Sequence, residues 1–343
     1  MRCRMKKIAM LLAGIGVLCA GNRSGYGGTI SIRGGGDPVV RVEDVRSDGL
    51  RLRVDLPSFE SESVQAAGRA FQRLHFEGYG SWGEPGKPEL PVISRLVLLP
   101  DRADWRWEVV EAESIELENY DIAPLQPETI ESPASPVVPE PVYDEASYRQ
   151  DEWLPSEAVA LGKPVISRGY RLGRLEIHPL QYNPLRRVLR VYHRLTIDLT
   201  FSGEGENPVQ RATVPKSRVF SRMIMSSVVN PRPLLDEDTV LGGYLFITPP
   251  NLENTLQTRL VDWKKEKGFP CTVMTTTQAG GTAAAIKSTI QNLYNTAEVP
   301  PDYLVLVGDE DYGMPTFFYT NPSAYNEQCG TDLPYTLLEG DDY

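Results

Sequence analysis

Thiol chemistry is the first possibility the residues raise. Cys271 and Cys329 lie in the last third of the chain, whereas the three histidines, His75, His178 and His193, all come before it. A cysteine nucleophile needs a part-exposed, electropositive niche that favours the thiolate, and a histidine to manage the proton. Cys271 follows Pro270 at the head of an apolar run and reads as a small hydrophobe packed in a strand. Cys329 stands in what reads as a polar loop, NPSAYNEQCGTD, and is the better candidate for a reactive thiol, but no histidine follows it. The histidines lack a metal-ligand spacing such as His-x-x-x-His. His193 shares the inward parity of its strand, and none of the three is assigned a role.

Two further groups could do chemistry. Asp309, Glu310 and Asp311 follow an apolar strand, and Asp332, Glu339, Asp341 and Asp342 come later. Loops at the carboxyl ends of parallel strands are where open α/β sheets place their ligands. These acids are therefore read in three ways: a calcium site, a pocket wall favouring a basic substrate side chain, or a solvated turn whose carboxylates cap the next element. Lys216, Arg218, Arg222 and Arg232 lie in VPKSRVFSRMIMSSVVNPRPLLDEDTV, a stretch of low periodicity read as a linker. Exposed basic residues in a loop are where proteolytic nicking concentrates, so these four are the processing candidates.

The elements that would position these groups change character along the chain. Residues 1–27 have a basic start through Lys7, an apolar run from Ile8 to Ala20 and small residues after it. That is the pattern of a secretory signal peptide, shorter than the roughly 20 apolar residues of a spanning helix; a short membrane anchor is the alternative. Gly16-Val17-Leu18 ahead of Cys19 makes a poor lipoprotein signal. Export would place the protein in the secreted or cell-surface compartment, with no membrane association after signal removal. Cys3 and Cys19 would leave with the signal, and two remaining cysteines cannot make a disulfide scaffold.

Residues 28–215 alternate as strands do. Leu50, Leu52, Val54 and Leu56 interleave with Arg51, Arg53 and Asp55, and Leu189, Val191, His193, Leu195, Ile197, Leu199 and Phe201 share one parity. With frequent Pro, Gly and Asn punctuation this predicts an all-β sandwich or jelly-roll-like domain. Six prolines between Pro124 and Pro141 predict an extended excursion of that domain, or else a boundary in it. Residues 216–240 follow as the linker. From 241 the period changes: YLFITPP, CTVMTT and YLVLVGD read as buried strands. NLENTLQTRLVDWKKEKG reads as a helix capped by Asn251, with a stripe of Leu252, Leu256, Leu260 and Trp263. TAAAIKSTIQNLYN reads as a helix using Ile286, Ile290 and Leu293. Strands alternating with helices predict a parallel α/β sheet. Tyr335 to Leu338 read as one more short strand, followed by a turn.

At 343 residues and 41% hydrophobic content the chain can bury more than one core. Its formal charge of -11, with 13 acids against 5 bases from Leu241 onward, argues against a nucleic-acid partner, which needs a basic face.

GGYLFITPPNLENTLQTRLVDWKKEKGFPCTVMTT, IKSTIQNLYNTAEVPPDYLVLVGDEDYGMPT and TDLPYTLLEGDDY, in that order, resemble the start of the catalytic domain of gingipain-type cysteine peptidases. GEPGKPELPVISRLVLLP and RGYRLGRLEIHPLQYNPLRRVLRVYHRLTIDLTF resemble that family's β-rich prodomain. The resemblance implies a partial caspase-like α/β domain over 241–343, a zymogen organisation with prodomain–catalytic domain contact, and cleavage of protein or peptide substrates by a Cys-His dyad. No cofactor is required, and calcium is an option. In the family the dyad lies on the second half of the sheet. This stretch has no histidine, so the expectation is an inactive fragment whose natural polypeptide continues into further strands, a histidine and a cysteine. The competing expectations are a secreted non-catalytic β-sandwich adhesion or interaction protein with an α/β appendage, and a free-standing inhibitory prodomain.

Overall fold

The computed structural model describes residues 28–129, 139–210, 216–232, 239–320 and 328–338. The expected signal peptide, part of the proline-rich excursion, and Glu339, Asp341 and Asp342 lie outside the described residues. The chain forms two compact units. The first comprises Met1–Val97, Ala103–Lys163 and Gly173–Glu204, and the second Leu98–Arg102, Pro164–Leu172 and Gly205–Tyr343.

The first unit is antiparallel β throughout its strand pairs. Val188–Ser202, as long as Asp104–Glu118, pairs with that strand along one edge and with Leu180–Asn183 and then Gly49–Asp55 along the other. Val39–Arg46 extends the sheet beyond Gly49–Asp55. Further strand groups belong to it: Gly28–Ser31 with Ser58–Ala66 and Arg69–His75, Gly80–Trp82 with Leu90–Leu98, and Val159–Leu161 with Tyr170–Ile177. Parity decides the faces, since side chains alternate along a strand. Leu50, Leu52, Val54 and Leu56 are all buried, as are Leu189, Val191, His193, Leu195, Ile197 and Leu199. Two sheets close face to face where Trp105 meets Gly173, at which a Cβ would come within 2.5 Å of the indole.

The outward parity carries charge instead. Arg51 and Asp198 are register partners and make a two-pronged pair at 2.7 and 2.8 Å. Arg194 reaches Glu113 at 2.6 Å and Asp55 at 3.3 Å. The polar face thus pairs across strands while the apolar face fills the core.

In the second unit, Gly243–Thr248 is the central strand of a parallel sheet, flanked by Cys271–Thr275 and Pro301–Leu306. Successive residues of the central strand serve opposite faces. Leu245 and Ile247 pack with Ile286 and Ile290 of the Ala283–Thr296 helix, whereas Phe246 packs with Leu256 and Val261. Thr282 caps the Ala283–Thr296 helix by accepting from Ala285 N–H.

Five local expectations are corrected. The 250–266 helix opens with a 3-10 turn at Pro250–Leu252 with no side-chain cap, so Asn251 is not its cap. It contains a π turn over Gln257–Val261. The extra residue in that turn rotates the later face; Val261 enters the core and Trp263 is left 47% exposed, with Lys264 and Lys267 over its ring. Tyr335 to Leu338 do not form a strand. Leu333–Tyr335 is a 3-10 turn with Pro334 in its first positions. Buried Tyr335 donates to Pro315 O at 2.5 Å and stands edge-on to Phe317. Cys329 is not in a loop but in the strand Gln328–Thr331, opposite Tyr319. The supposed linker begins with a strand and a helix, described below.

Core and rim make separate predictions for the first unit. Leu52→Ala should destabilise it by about 2–5 kcal/mol, read as a lower denaturant midpoint. Hydrogen bonds from Arg51 hold the Asp198 carboxyl below its ordinary 3.8. A depressed folded value gives stability that is present above the unfolded value and lost as pH falls below it. Asp198→Asn should therefore be less stable at pH 7 and lose less stability on acidification below about pH 4, measured by thermal melts across pH.

Candidate functional site: two edges of the parallel sheet

At the carboxyl edge the three strands end in tight local structure. Thr276 N–H donates to Thr248 O at 2.8 Å, and Thr275 and Gln278 bond each other reciprocally at 2.7 and 3.2 Å. After Pro301–Leu306 the chain turns at Gly308, whose φ of +99° suits glycine. Asp309 organises that turn: its Oδ1 and main-chain O both accept from Tyr312 N–H, and its O also accepts from Met314 N–H at 2.9 Å. Asp309, Glu310 and Asp311 are exposed, and this geometry is that of a solvated, self-capping turn. Asp332 is likewise exposed, and its carbonyl accepts from Tyr335 N–H. Among the described residues no group of three or more His, Cys, Asp or Glu is arranged to hold a metal ion.

The thiols belong to the second unit and the imidazoles to the first. Cys271 opens its strand with its Sγ 3.4 Å from Phe269 O, and burial pushes its thiol up, away from the thiolate a nucleophile needs. Cys329 is partly buried in its hairpin. His178 and His193 are buried in the first unit with their Nδ1 atoms unbonded, and burial lowers both, His178 to about 4. His75 is exposed.

The opposite edge of the sheet holds a group the sequence did not mark. Asp302, the second residue of the Pro301–Leu306 strand, is 7% exposed. Ser217 Oγ donates to its Oδ2 at 2.5 Å, and the Gly242 backbone N–H also bonds it. Gly242 is required by close approach, because a Cβ there would lie 2.0 Å from the carboxyl carbon. Burial pushes Asp302 up from its ordinary value, opposed by Ser217, the positive charge of Arg168 and Gly242. Arg168 sits with Gly169 in a turn where both φ are positive, and its guanidinium lies 4.0 Å from the centre of the Phe220 ring.

Ser217 belongs to the segment read as a flexible linker. Lys216–Ser217 pairs in parallel with Thr239–Val240, and Arg218–Ser227 is a helix capped by Ser217, which accepts from Phe220 N–H at 3.3 Å. Helical spacing buries Ser221, Ile224 and Met225; Tyr170 donates to Ser221 at 2.7 Å. Thus Lys216 is in a strand with its Nζ 4.0 Å from the centre of the Tyr170 ring, Arg218 starts the helix, and Arg222 lies exposed within it. Arg232 alone is exposed and outside regular structure, and it precedes Pro233. The signal available in the sequence was Ser217 followed by apolar residues at Val219, Phe220, Met223 and Ile224, a helix start that the basic residues obscured.

A β-rich antiparallel region followed by a parallel α/β sheet defines the architecture. Two family profiles match in that order: Propeptide_C25 over residues 31–228, more than half of the chain, and Peptidase family C25 over residues 241–343. The chain belongs to the gingipain-type C25 cysteine peptidase family. It is similar to gingipain R2 of Porphyromonas gingivalis, 26% identical over 281 residues, covering 80% of this chain and 38% of that protein. It is also similar to Lys-gingipain of the same species, 27% identical over 298 residues, covering 82% of this chain and 17% of that protein. The chain thus spans well under half the length of these relatives. Among solved structures it is similar to one described as a complex of Porphyromonas gingivalis RgpB pro- and mature domains, at 26% identity and TM-score 0.49, covering 56% of this chain and 97% of that one. A structure of gingipain K, described in terms of zymogenic latency, is similar at 22% identity and TM-score 0.46, covering 52% of this chain and 99% of that one.

The placement of the basic residues has a direct test. A protease cleaves extended, accessible backbone, so brief trypsin treatment of the native protein should leave the bonds after Lys216, Arg218 and Arg222 intact, while mild denaturant opens all three. Mass spectrometry of the fragments checks this; early cuts at Arg218 or Arg222 in native buffer would contradict the helix.

Proposed function

We propose that this protein is the precursor of an exported, gingipain-like cysteine endopeptidase, held as a zymogen by its β-rich propeptide. The observation that carries the reading is the succession of a propeptide match and a peptidase match in one chain, with the parallel sheet in the second. Export is supported by the basic-then-apolar pattern of residues 1–27, and among the described residues no helix is long and apolar enough to cross a membrane.

In the reaction, a cysteine thiolate attacks the scissile carbonyl and a histidine protonates the departing amine, with the oxyanion held by preorganised donors. Residues 241–343 contain no histidine, so on this reading the histidine of such a pair comes from outside them. The part given to this region is the sheet itself, whose carboxyl edge at Thr248, Thr275 and Leu306 is the platform on which such a fold presents reacting groups. The acids at Asp309–Asp311 lie beside that platform and favour a basic or neutral substrate side chain over an acidic one. Intramolecular contact between propeptide and peptidase regions is supported by the second unit, which includes residues of both.

Peptide hydrolysis in the presence of a thiol reductant tests the proposal. The 343-residue chain should show no turnover, and the complete gene product, once processed, should cleave peptides in a manner abolished by iodoacetamide. Turnover by the 343-residue chain that disappears in Cys271→Ala or Cys329→Ala, or a processed product indifferent to alkylation, would refute it.

A further inference from the structure

The second compact unit does not respect the border between the two family regions. Leu98–Arg102, Pro164–Leu172 and the residues from Gly205 to 228 lie within the propeptide match, yet they form one unit with the peptidase sheet. Where the two regions meet, Ser217 performs three tasks at once. Its backbone pairs with Val240 in a short parallel ladder. Its hydroxyl oxygen caps the Arg218–Ser227 helix. Its hydroxyl proton goes to Asp302. The helix so started lays Phe220 against Tyr303, with ring centres 5.6 Å apart, and Arg168 covers Phe220 from the propeptide side. The peptidase region contributes Asp302, Tyr303 and the Gly242 seat, which admits no side chain.

Chemistry makes this contact demanding. A carboxylate buried to 7% exposure is costly unless donors satisfy it, and the side-chain donor comes from the propeptide match. Losing Ser217 would leave Asp302 with the Gly242 N–H and without its short hydroxyl bond. Asp302 also stands at the start of its strand, so the contact lies at the end of the sheet away from Thr248, Thr275 and Leu306, where the strands finish.

We propose, on the zymogen reading above, that Ser217 and Asp302 form the anchor that keeps the propeptide on the peptidase sheet after the connecting chain has been cut, at the sheet edge remote from the chemistry. The partner is this chain's own strand and helix, Lys216–Ser227, recognised by a hydroxyl donor to a buried carboxylate and an aromatic contact beside it. How firmly the two pieces of a chain cut between 228 and 241 hold together would then depend on these two residues.

The test is made on the full 343-residue chain carrying a recognition sequence for a site-specific protease immediately after Arg232. The folded protein is cut to completion, and the two pieces are followed by size-exclusion chromatography and native mass spectrometry. They should co-elute, and their separation after dilution should be about tenfold or more faster in Ser217→Ala and in Asp302→Ala, as expected for breaking a buried hydrogen bond to a charged group. Asp309→Ala, at the opposite edge, should separate at the parental rate. Far-ultraviolet circular dichroism of the uncut variants checks folding. Should Asp302→Ala fail to fold, Ser217→Ala and Asp302→Asn decide the matter, the latter retaining an acceptor for Ser217 and separating more slowly than Ser217→Ala. Immediate separation of the parental pieces, or parental rates in both Ser217→Ala and Asp302→Asn, would overturn the anchor. The readout involves no catalysis, so failure to find peptidase activity would defeat the function proposed above without touching this result.

Discussion

A carboxylate taken out of water at the head of an apolar strand constrains everything around it. Asp302 cannot be accommodated by the parallel sheet alone, because its neighbours along the strand are a proline and a tyrosine followed by aliphatic residues. The fold meets the demand from two directions: a glycine brings its backbone N–H against the carboxyl, and a serine distant in sequence supplies the hydroxyl proton. That serine must be held in place, and the same position is fixed by a strand pair on one side and a helix start on the other. Lys216–Ser227, within the apparent linker, is thus tied to the buried acid.

A second buried polar group holds the surrounding loops. Arg171 is fully buried, and its guanidinium donates to Asn207 O at 3.0 Å, to Pro100 O at 3.1 Å and to Glu206 O at 2.5 Å. Five donors in a planar fork suit such a junction. Asn230 closes another, with reciprocal bonds to the backbone of Leu98 at 2.8 and 2.9 Å. Segments far apart in the chain, 98–102, 164–172 and 205–230, are thereby tied to one another, which explains why the compact unit cuts across the division that family comparison draws.

The first unit relies on a different principle. Its sheets have one apolar and one charged face, so stability comes from uniform burial along one parity and from arginine–carboxylate pairs along the other. Surface pairs of this kind contribute little individually, whereas the buried leucines and valines carry the fold. His193 is an exception, a polar residue at an inward position, located where the long strand shifts register against its partner between Tyr192 and Arg194. Burial lowers its pKa, and the strand carries it at that irregularity.

By itself the sequence determined what near neighbours determine. The parity of Leu50 to Leu56 and of Leu189 to Leu199, the change of period after Gly243, and the helix built on Ile286 and Ile290 are all sums of local preferences, and the structure follows them. The family motifs were equally legible, since they keep their order along the chain. Tertiary structure decided what depends on one distant partner. A π turn moved Val261 inward and left Trp263 outside, although the helical spacing had chosen the tryptophan. Tyr335, expected in a strand, became a plug because Pro315 O offers its hydroxyl an acceptor. Asp309 proved to be an acceptor for its own turn. Ser217 and Asp302 are separated by 85 residues, and no local pattern announces that a serine among basic residues will answer an acid in an apolar strand. Periodicity reports average burial along an element; whether a single polar group can be buried is settled only by what the rest of the fold brings to it.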